Sequence, residues 1–222
     1  FFLSWAGLRS ADPRFTWDSH VGVDLDIVSY RAGRLNLFAD YEAVLGSENR
    51  AFEINHENYA IEALGAYRIR SIEIAGVFHH TSRHLSDRAN SSVVAWNVGA
   101  IRASRRFALG ASTLDARLEA GRILQSTYVD YRWKTSLRLA LRRPLRDRIG
   151  FFAAGAGDLV GVDPETAGRM ERLCGGSLEA GVRLGGRTAA LELFAGYERR
   201  IDAYPVDRVR VRWTALGFRF AS

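Results

Sequence analysis

The sequence predicts an all-β fold: a transmembrane, antiparallel up-and-down β-barrel of about twelve strands, forming one domain over residues 1–222. Three observations predict it. Apolar residues recur at every second position along segments of about 10–14 residues, longer than the strands of soluble sheets and suited to tilted membrane strands. The positions between them carry carboxylates and arginines on strand after strand, which a soluble sandwich would rarely do. The connections alternate short and long, as the periplasmic turns and extracellular loops of bacterial barrels do.

The elements follow in order. Phe1–Leu8 is read as a first strand, behind which 1–14 forms an N-terminal segment. Val21, Val23, Leu25 and Ile27 alternate with Asp24 and Asp26; Leu35, Leu37, Ala39 and Tyr41 alternate with Asn36, Asp40 and Glu42. Tyr59, Ile61, Ala63, Tyr67 and Ile69 oppose Asn58, Glu62 and Arg68, and Ile72, Ile74 and Phe78 oppose Glu73 and His79. Val94, Trp96 and Val98 give the sixth apolar stripe, and Leu114, Ala116 and Leu118 the seventh, against Asp115, Arg117 and Glu119. Tyr131, Trp133, Leu137, Leu139 and Leu141 face away from Arg132, Lys134 and Arg138. Further strands are expected near 148–157, 173–185, 188–201 and 207–220. The stripes should face lipid. Two junctions strain the pattern: 104–111 is long for a turn and 125–127 short for an outer loop.

Composition narrows the classes. No apolar run approaches the roughly 18 residues of a membrane-crossing helix. The mean hydropathy is near zero, which alternating membrane strands produce as readily as a soluble domain does. Cys174 is the only cysteine, which excludes an intramolecular disulfide and a thiolate metal cluster. Met170 is the only methionine, so Phe1 is not expected to be a translation start. Lys134 is the only lysine among 31 basic residues. The net charge of +6 invites a nucleic-acid reading, but the arginines are interleaved with carboxylates and no recognition motif occurs; no nucleic-acid partner is expected. Aromatic residues gather toward strand ends, with Trp17, Tyr59, Phe78, Tyr128, Tyr131, Tyr197 and Tyr204 at one side and Tyr30, Tyr67, Phe218 and Phe220 at the other. Interfacial girdles require that.

Two segments carry a resemblance. Ala11, Asp12, Pro13 and Arg14 near the start, and His80, Ser82, His84, Leu85 and Asp87 further on, resemble a family of uncharacterised bacterial outer-membrane barrels. That family has an Ala-Asp-Pro-Arg segment and a His-x-Ser-Ser-His-Leu-x-Asp motif, here with Arg83 at the second serine. The resemblance implies fold and location rather than a reaction. The terminal Phe218, Arg219 and Phe220 look like the closing aromatic signal of outer-membrane proteins, with Ala221 and Ser222 following. The pair His80 and Ser82 is also similar to the His-x-Ser pair of outer-membrane phospholipase A and the lipid A deacylases. Their resemblance implies an acyl-ester hydrolase, although those enzymes continue with Asn where this sequence has Arg83.

Residues two apart on a strand share a face, so His80 and Ser82 should point outward with Ile72, Ile74 and Phe78. Antiparallel register across Arg70 and Ser71 places Ile61 near His80, Tyr59 near Ser82 and Glu57 near His84. A serine nucleophile needs a base, and the base needs a group to orient it. Glu57 and Asn90 are the candidates. The plainer reading is that these polar groups sit at headgroup level and bond to one another.

The inward faces are expected to hold ion pairs among Asp24, Asp40, Glu42, Glu62, Arg68, Glu73, Arg117, Glu119, Arg132 and Lys134, plugging a narrow lumen. A basic collar of Arg31, Arg34, Arg70, Arg105, Arg106, Arg142, Arg143, Arg146 and Arg148 is expected at the periplasmic end, touching anionic headgroups or a protein partner there or in the outer membrane. His79, His80 and His84 lack convergent geometry for a metal, and Gly155, Gly157 and Gly161 lack a nucleotide-loop order. No metal or cofactor is expected. Three functions fit: a structural or interaction barrel among phospholipid and lipopolysaccharide, an outer-leaflet acyl-ester hydrolase using Ser82 with His80, and a narrow channel for small polar solutes.

Overall fold

The computed structural model describes residues 1–85, 94–163, 165, 172–204 and 210–222. Twelve strands close into one antiparallel barrel in which each strand pairs with its sequence neighbours and β1 with β12. They are β1 Phe2–Arg9, β2 Trp17–Tyr30, β3 Gly33–Gly46, β4 Glu53–Ile69, β5 Ile72–His84, β6 Val94–Leu109, β7 Ser112–Thr127, β8 Tyr131–Arg146, β9 Ile149–Val162, β10 Arg172–Gly185, β11 Ala190–Arg200 and β12 Val211–Ala221. Closure leaves no free sheet edge, the condition for a sheet to sit in lipid.

The long junction at 104–111 disappears and the short one moves to 128–130, still three residues long, because β6 and β7 are longer than their apolar stripes. β6 runs on to Leu109, leaving a two-residue turn, and β7 runs to Thr127 before the outer connection at 128–130. Polar residues continue these strands beyond the apolar band, where alternation no longer marks them. The tight turns at Arg31, Arg70 and Gly110 begin with left-handed backbone, at φ 49°, 56° and 62°. Pro144 lies at a register shift between β8 and β9, where its missing N–H costs no ladder bond.

Outward residues form the expected lipid-facing band, including Leu25, Ile61, Ile74, Phe78, Ile101, Leu118, Leu137, Leu178 and Leu216, all exposed. β6 departs from expectation. Val94 and Val98 point inward and are 3% and 1% exposed, because a small barrel must fill its own lumen. Tyr131 and Tyr204, expected in a girdle, are buried.

Near the short-turn end Phe2 reaches over β2 along the lumen wall and stacks on Phe38 at 5.9 Å. Gly22 makes room for it, since a Cβ there would collide with Phe2 Cζ and the Ala39 carbonyl oxygen. Gly22→Val should therefore cost about 1–3 kcal/mol, read as a lower melting temperature of the heat-modifiable band in semi-native electrophoresis. An unchanged melting profile would show that this wall is not tightly packed.

Candidate functional site

The outer face of β5 carries His80, Ser82 and His84 in succession. β4 meets it in the register expected from the sequence: Ile61 opposite His80, Tyr59 opposite Ser82, Glu57 opposite His84. β6 supplies Asn97 opposite His80. Ser82 Oγ lies 2.7 Å from His84 Nε2, a hydrogen bond that links the hydroxyl to a ring nitrogen able to accept its proton. The ring in hydrogen-bond contact with Ser82 is thus that of His84, while the sequence pointed to His80. His80 turns the other way, its Nδ1 2.7 Å from Asn97 Oδ1. That amide oxygen only accepts, so it fixes the proton on Nδ1 of His80. Both histidines share the face of Ser82, and rotamers decide which one reaches it.

The surrounding groups hold His84 in place. Tyr59 packs edge-on against its ring, centroids 5.4 Å apart at 85°. Glu57, its cross-strand partner, accepts a 2.5 Å hydrogen bond from the Tyr41 hydroxyl. Asn97 also donates to Gln125. Asn90, the second expected orienting group, lies outside the described residues. Ser82 itself is only 7% exposed, sheltered beside these rings.

Depth follows from strand geometry. Ten residues separate Ile72 from Ser82 along β5. At about 2.5 Å of axial rise per tilted residue that is roughly 25 Å, the height of an apolar band. Ser82 then stands at the outer edge of the lipid phase, where acyl esters lie.

Inside, the barrel is closed in layers. At the long-loop end Phe15, Val44, Leu85, Ala203, Tyr204 and Trp213 pack into one buried cluster, in which β3, β12 and the residue just beyond β5 meet. The Ala11–Arg14 segment builds this cap. Phe15 stacks on Trp213 at 5.3 Å, Arg14 lies 4.4 Å over Tyr204, and Asn55 donates to the Arg14 carbonyl. Asp12 receives the Arg14 guanidinium at 2.8 Å, and that bond holds its carboxyl below the usual range. The cap is tied from the other side by Arg83, which donates to the Asp202 carbonyl, and by the Tyr131 hydroxyl, 2.6 Å from Asp202 Oδ2.

Beneath it lies an ionic layer. Arg200 reaches across the lumen to Glu42 at 2.5 Å and binds Glu198 at 2.8 Å. His20 contacts Asp40 at 2.9 Å, and Asn58 donates to Glu42. Arg102 joins Glu62 and Glu119, at 2.6 and 2.7 Å. Lys134 meets Asp158 at 3.2 Å.

In comparisons with known proteins, no protein-family model and no curated protein matches the chain. Solved structures do. LpxR from Salmonella typhimurium aligns over 100% of both chains with TM-score 0.55 at 9% identity. The KdgM porin aligns over 100% of this chain and 99% of its own, TM-score 0.55, 6% identity. The NanC porin gives 0.56 at 8% identity over the same shares. At such identities the likeness is one of fold. The chain is a transmembrane β-barrel of the bacterial outer-membrane type.

Several residues of this outer-membrane barrel take other places than the sequence suggested. Asp24 bonds to Asn36 at 2.6 Å and not to a cation. Arg132 sits at the mouth, 62% exposed, paired with Asp163. The Arg68 and Arg117 side chains face the lumen with no hydrogen bond or ion pair among the described residues. Arg34, expected in the collar, turns into the lumen and bridges Asp26 and Glu73 at 2.8 and 2.9 Å. Arg106 and Arg142 share Asp115. Arg31, Arg70, Arg105, Arg143, Arg146 and Arg148 remain exposed around the short-turn rim, with Arg31 over Tyr30 and Arg105 over Phe107.

Sequence reasoning missed Arg102, Arg200, Glu198, Glu179, Glu192 and Arg219 as lumen partners. Their parity on the strands was the available signal. Asp18, His20 and Glu42 also bring ligand atoms within 4.8 Å of one another, enough to hold a cation. Arg200 already supplies positive charge there, 3.9 Å from Asp18.

Proposed function

We propose that this outer-membrane barrel hydrolyses acyl esters of outer-leaflet lipid, with Ser82 as nucleophile and His84 as its base. The observation that carries the reading is the 2.7 Å Ser82–His84 hydrogen bond on the lipid-facing wall. His84 Nε2 takes the Ser82 proton as Oγ attacks the ester carbonyl, and then returns it to the departing alcohol. Water, activated by the same nitrogen, releases the fatty acid and restores the serine. Glu57, opposite His84 in register, is the group to orient the ring and stabilise its protonated form. The lipid needs no entry path, because the site opens on the bilayer itself. Access to the sheltered hydroxyl requires the surrounding rings to part as the acyl ester seats.

The test uses the folded barrel with defined phospholipid and lipopolysaccharide, following released fatty acid. Ser82→Ala and His84→Asn should each lower release by at least about 10³-fold. His80→Asn, which breaks only the Asn97 contact, should cost far less. Release unaffected by Ser82→Ala, or none from the wild type, would remove the hydrolase.

A second reading, a structural barrel engaged through its rim, draws support from the capped lumen and the exposed arginines Arg31, Arg70, Arg143, Arg146 and Arg148. Anionic inner-leaflet headgroups or an acidic periplasmic surface would suit that collar. The capped lumen also weighs against a narrow channel for polar solutes.

A further inference from the structure

Below the ionic layer the lumen opens toward the short-turn end into a cavity of about 1040 Å³. Nine arginines and four carboxylates line it, so its lining carries an excess of five positive charges. The carboxylates are all engaged: Asp26 and Glu73 by Arg34, Asp115 by Arg106 and Arg142, Glu179 by Arg219. Five arginines are left over: Arg70 and Arg105 at the short-turn rim, and Arg68, Arg117 and Arg138 on the inward faces of their strands. Each of these last three is exposed to lumen water, and none of the three side chains has a hydrogen bond or ion pair among the described residues.

Their placement costs stability. Arg117 stands directly opposite Arg138 in the β7–β8 register, a like-charge pair that destabilises an antiparallel sheet. A carboxylate at either position would complete the local pairing, as it does at Glu62 and Glu119 around Arg102 one layer up. The surplus is also enclosed: walls of low dielectric concentrate its field on the cavity. Guanidinium groups offer paired N–H donors matched to the oxygens of carboxylate and phosphate. Ser104 and Ser177 add hydroxyls to the same lining.

We infer that this vestibule is a binding site for a small soluble anion carrying two or more carboxylate or phosphate groups, held between Arg68, Arg117 and Arg138. The volume suits a solute rather than a folded partner. The ionic layer and cap close the site on the far side, so the anion enters and leaves from the periplasmic end. The inference rests on the lumen alone and is independent of Ser82.

Citrate and inorganic pyrophosphate serve as separate probes, titrated calorimetrically into the folded barrel in a zwitterionic detergent at low ionic strength. Saturable one-site binding of at least one is expected, and which one binds assigns the headgroup class. Arg117→Gln with Arg138→Gln should weaken it at least tenfold, while Arg143→Gln, outside the cavity, should leave it unchanged. If the double variant does not fold, Arg68→Gln is read in its place, with at least a threefold loss expected. No saturable binding of either anion, or equal binding by the arginine variants, would overturn the inference.

Discussion

Arg102→Ala should destabilise the barrel by about 3–5 kcal/mol, the cost of stranding a buried charge partner. The Arg102 side chain is 7% exposed and binds two carboxylates at once, Glu62 and Glu119, themselves 15% and 8% exposed. Without it, Glu62 and Glu119 lose the one group bonded to both and keep the more distant charge of Arg117. Lysine should rescue only part, because one ammonium cannot match the guanidinium fork that reaches both strands. Arg102→Met combined with Glu62→Gln and Glu119→Gln removes all three charges and should recover most of the loss. Equilibrium urea unfolding in lipid vesicles, followed by tryptophan fluorescence, reads the difference. A single variant within about 1 kcal/mol of wild type would mean that lumen water solvates these carboxylates, and the plug would then be far softer than its geometry suggests.

The same ion pairs show how far the sequence was legible. Strand number, the closed antiparallel order and the outward face of β5 all follow from period-two alternation, which has no helical counterpart. Tight turns then fix register, which is why Glu57, Tyr59 and Ile61 fall opposite His84, Ser82 and His80. Contacts beyond the neighbouring strand are not encoded that way. Arg200 meets Glu42 from 158 positions away, across the lumen, and Arg219 skips a strand to reach Glu179 at 2.7 Å. Parity says that such side chains point inward; it does not say which ones meet.

The candidate site shows a finer limit. His80, Ser82 and His84 are equally spaced on one face, so spacing leaves two histidines with equal claims on the hydroxyl. Asn97 decides the matter by taking His80 at 2.7 Å, and its arrival depends on the β5–β6 register across a long loop. The basic collar fails for a related reason. Charge position along a strand places an arginine near an end, but only parity separates Arg34, turned inward to Glu73, from the outward Arg143.

Phe15→Ala should cost about 3–5 kcal/mol, the range for removing a buried aromatic ring, and yet leave the barrel non-conducting. Phe15 is 1% exposed, stacked on Trp213 and set edge-on to His56 at 6.1 Å. Losing its ring opens a void in the cap. The segment that carries it stays pinned by backbone bonds, from Leu8 to Thr16 at 2.7 Å, from Thr16 to Leu45 at 2.9 Å and from Ser47 to Pro13 at 2.9 Å. Beneath the void, Arg200 still spans the lumen to Glu42. Two closures therefore act in series, one apolar and one ionic, and current requires both to fail. Phe15→Ala combined with Arg200→Gln and Glu42→Gln should give steady single-channel steps in planar bilayers, where wild type and Phe15→Ala give none. Steady ohmic steps from the wild type would mean the cap opens unaided. Silence from the triple variant, if it folds, would place a further barrier at the Arg102 layer, which Arg102→Met with its two glutamine partners would then expose.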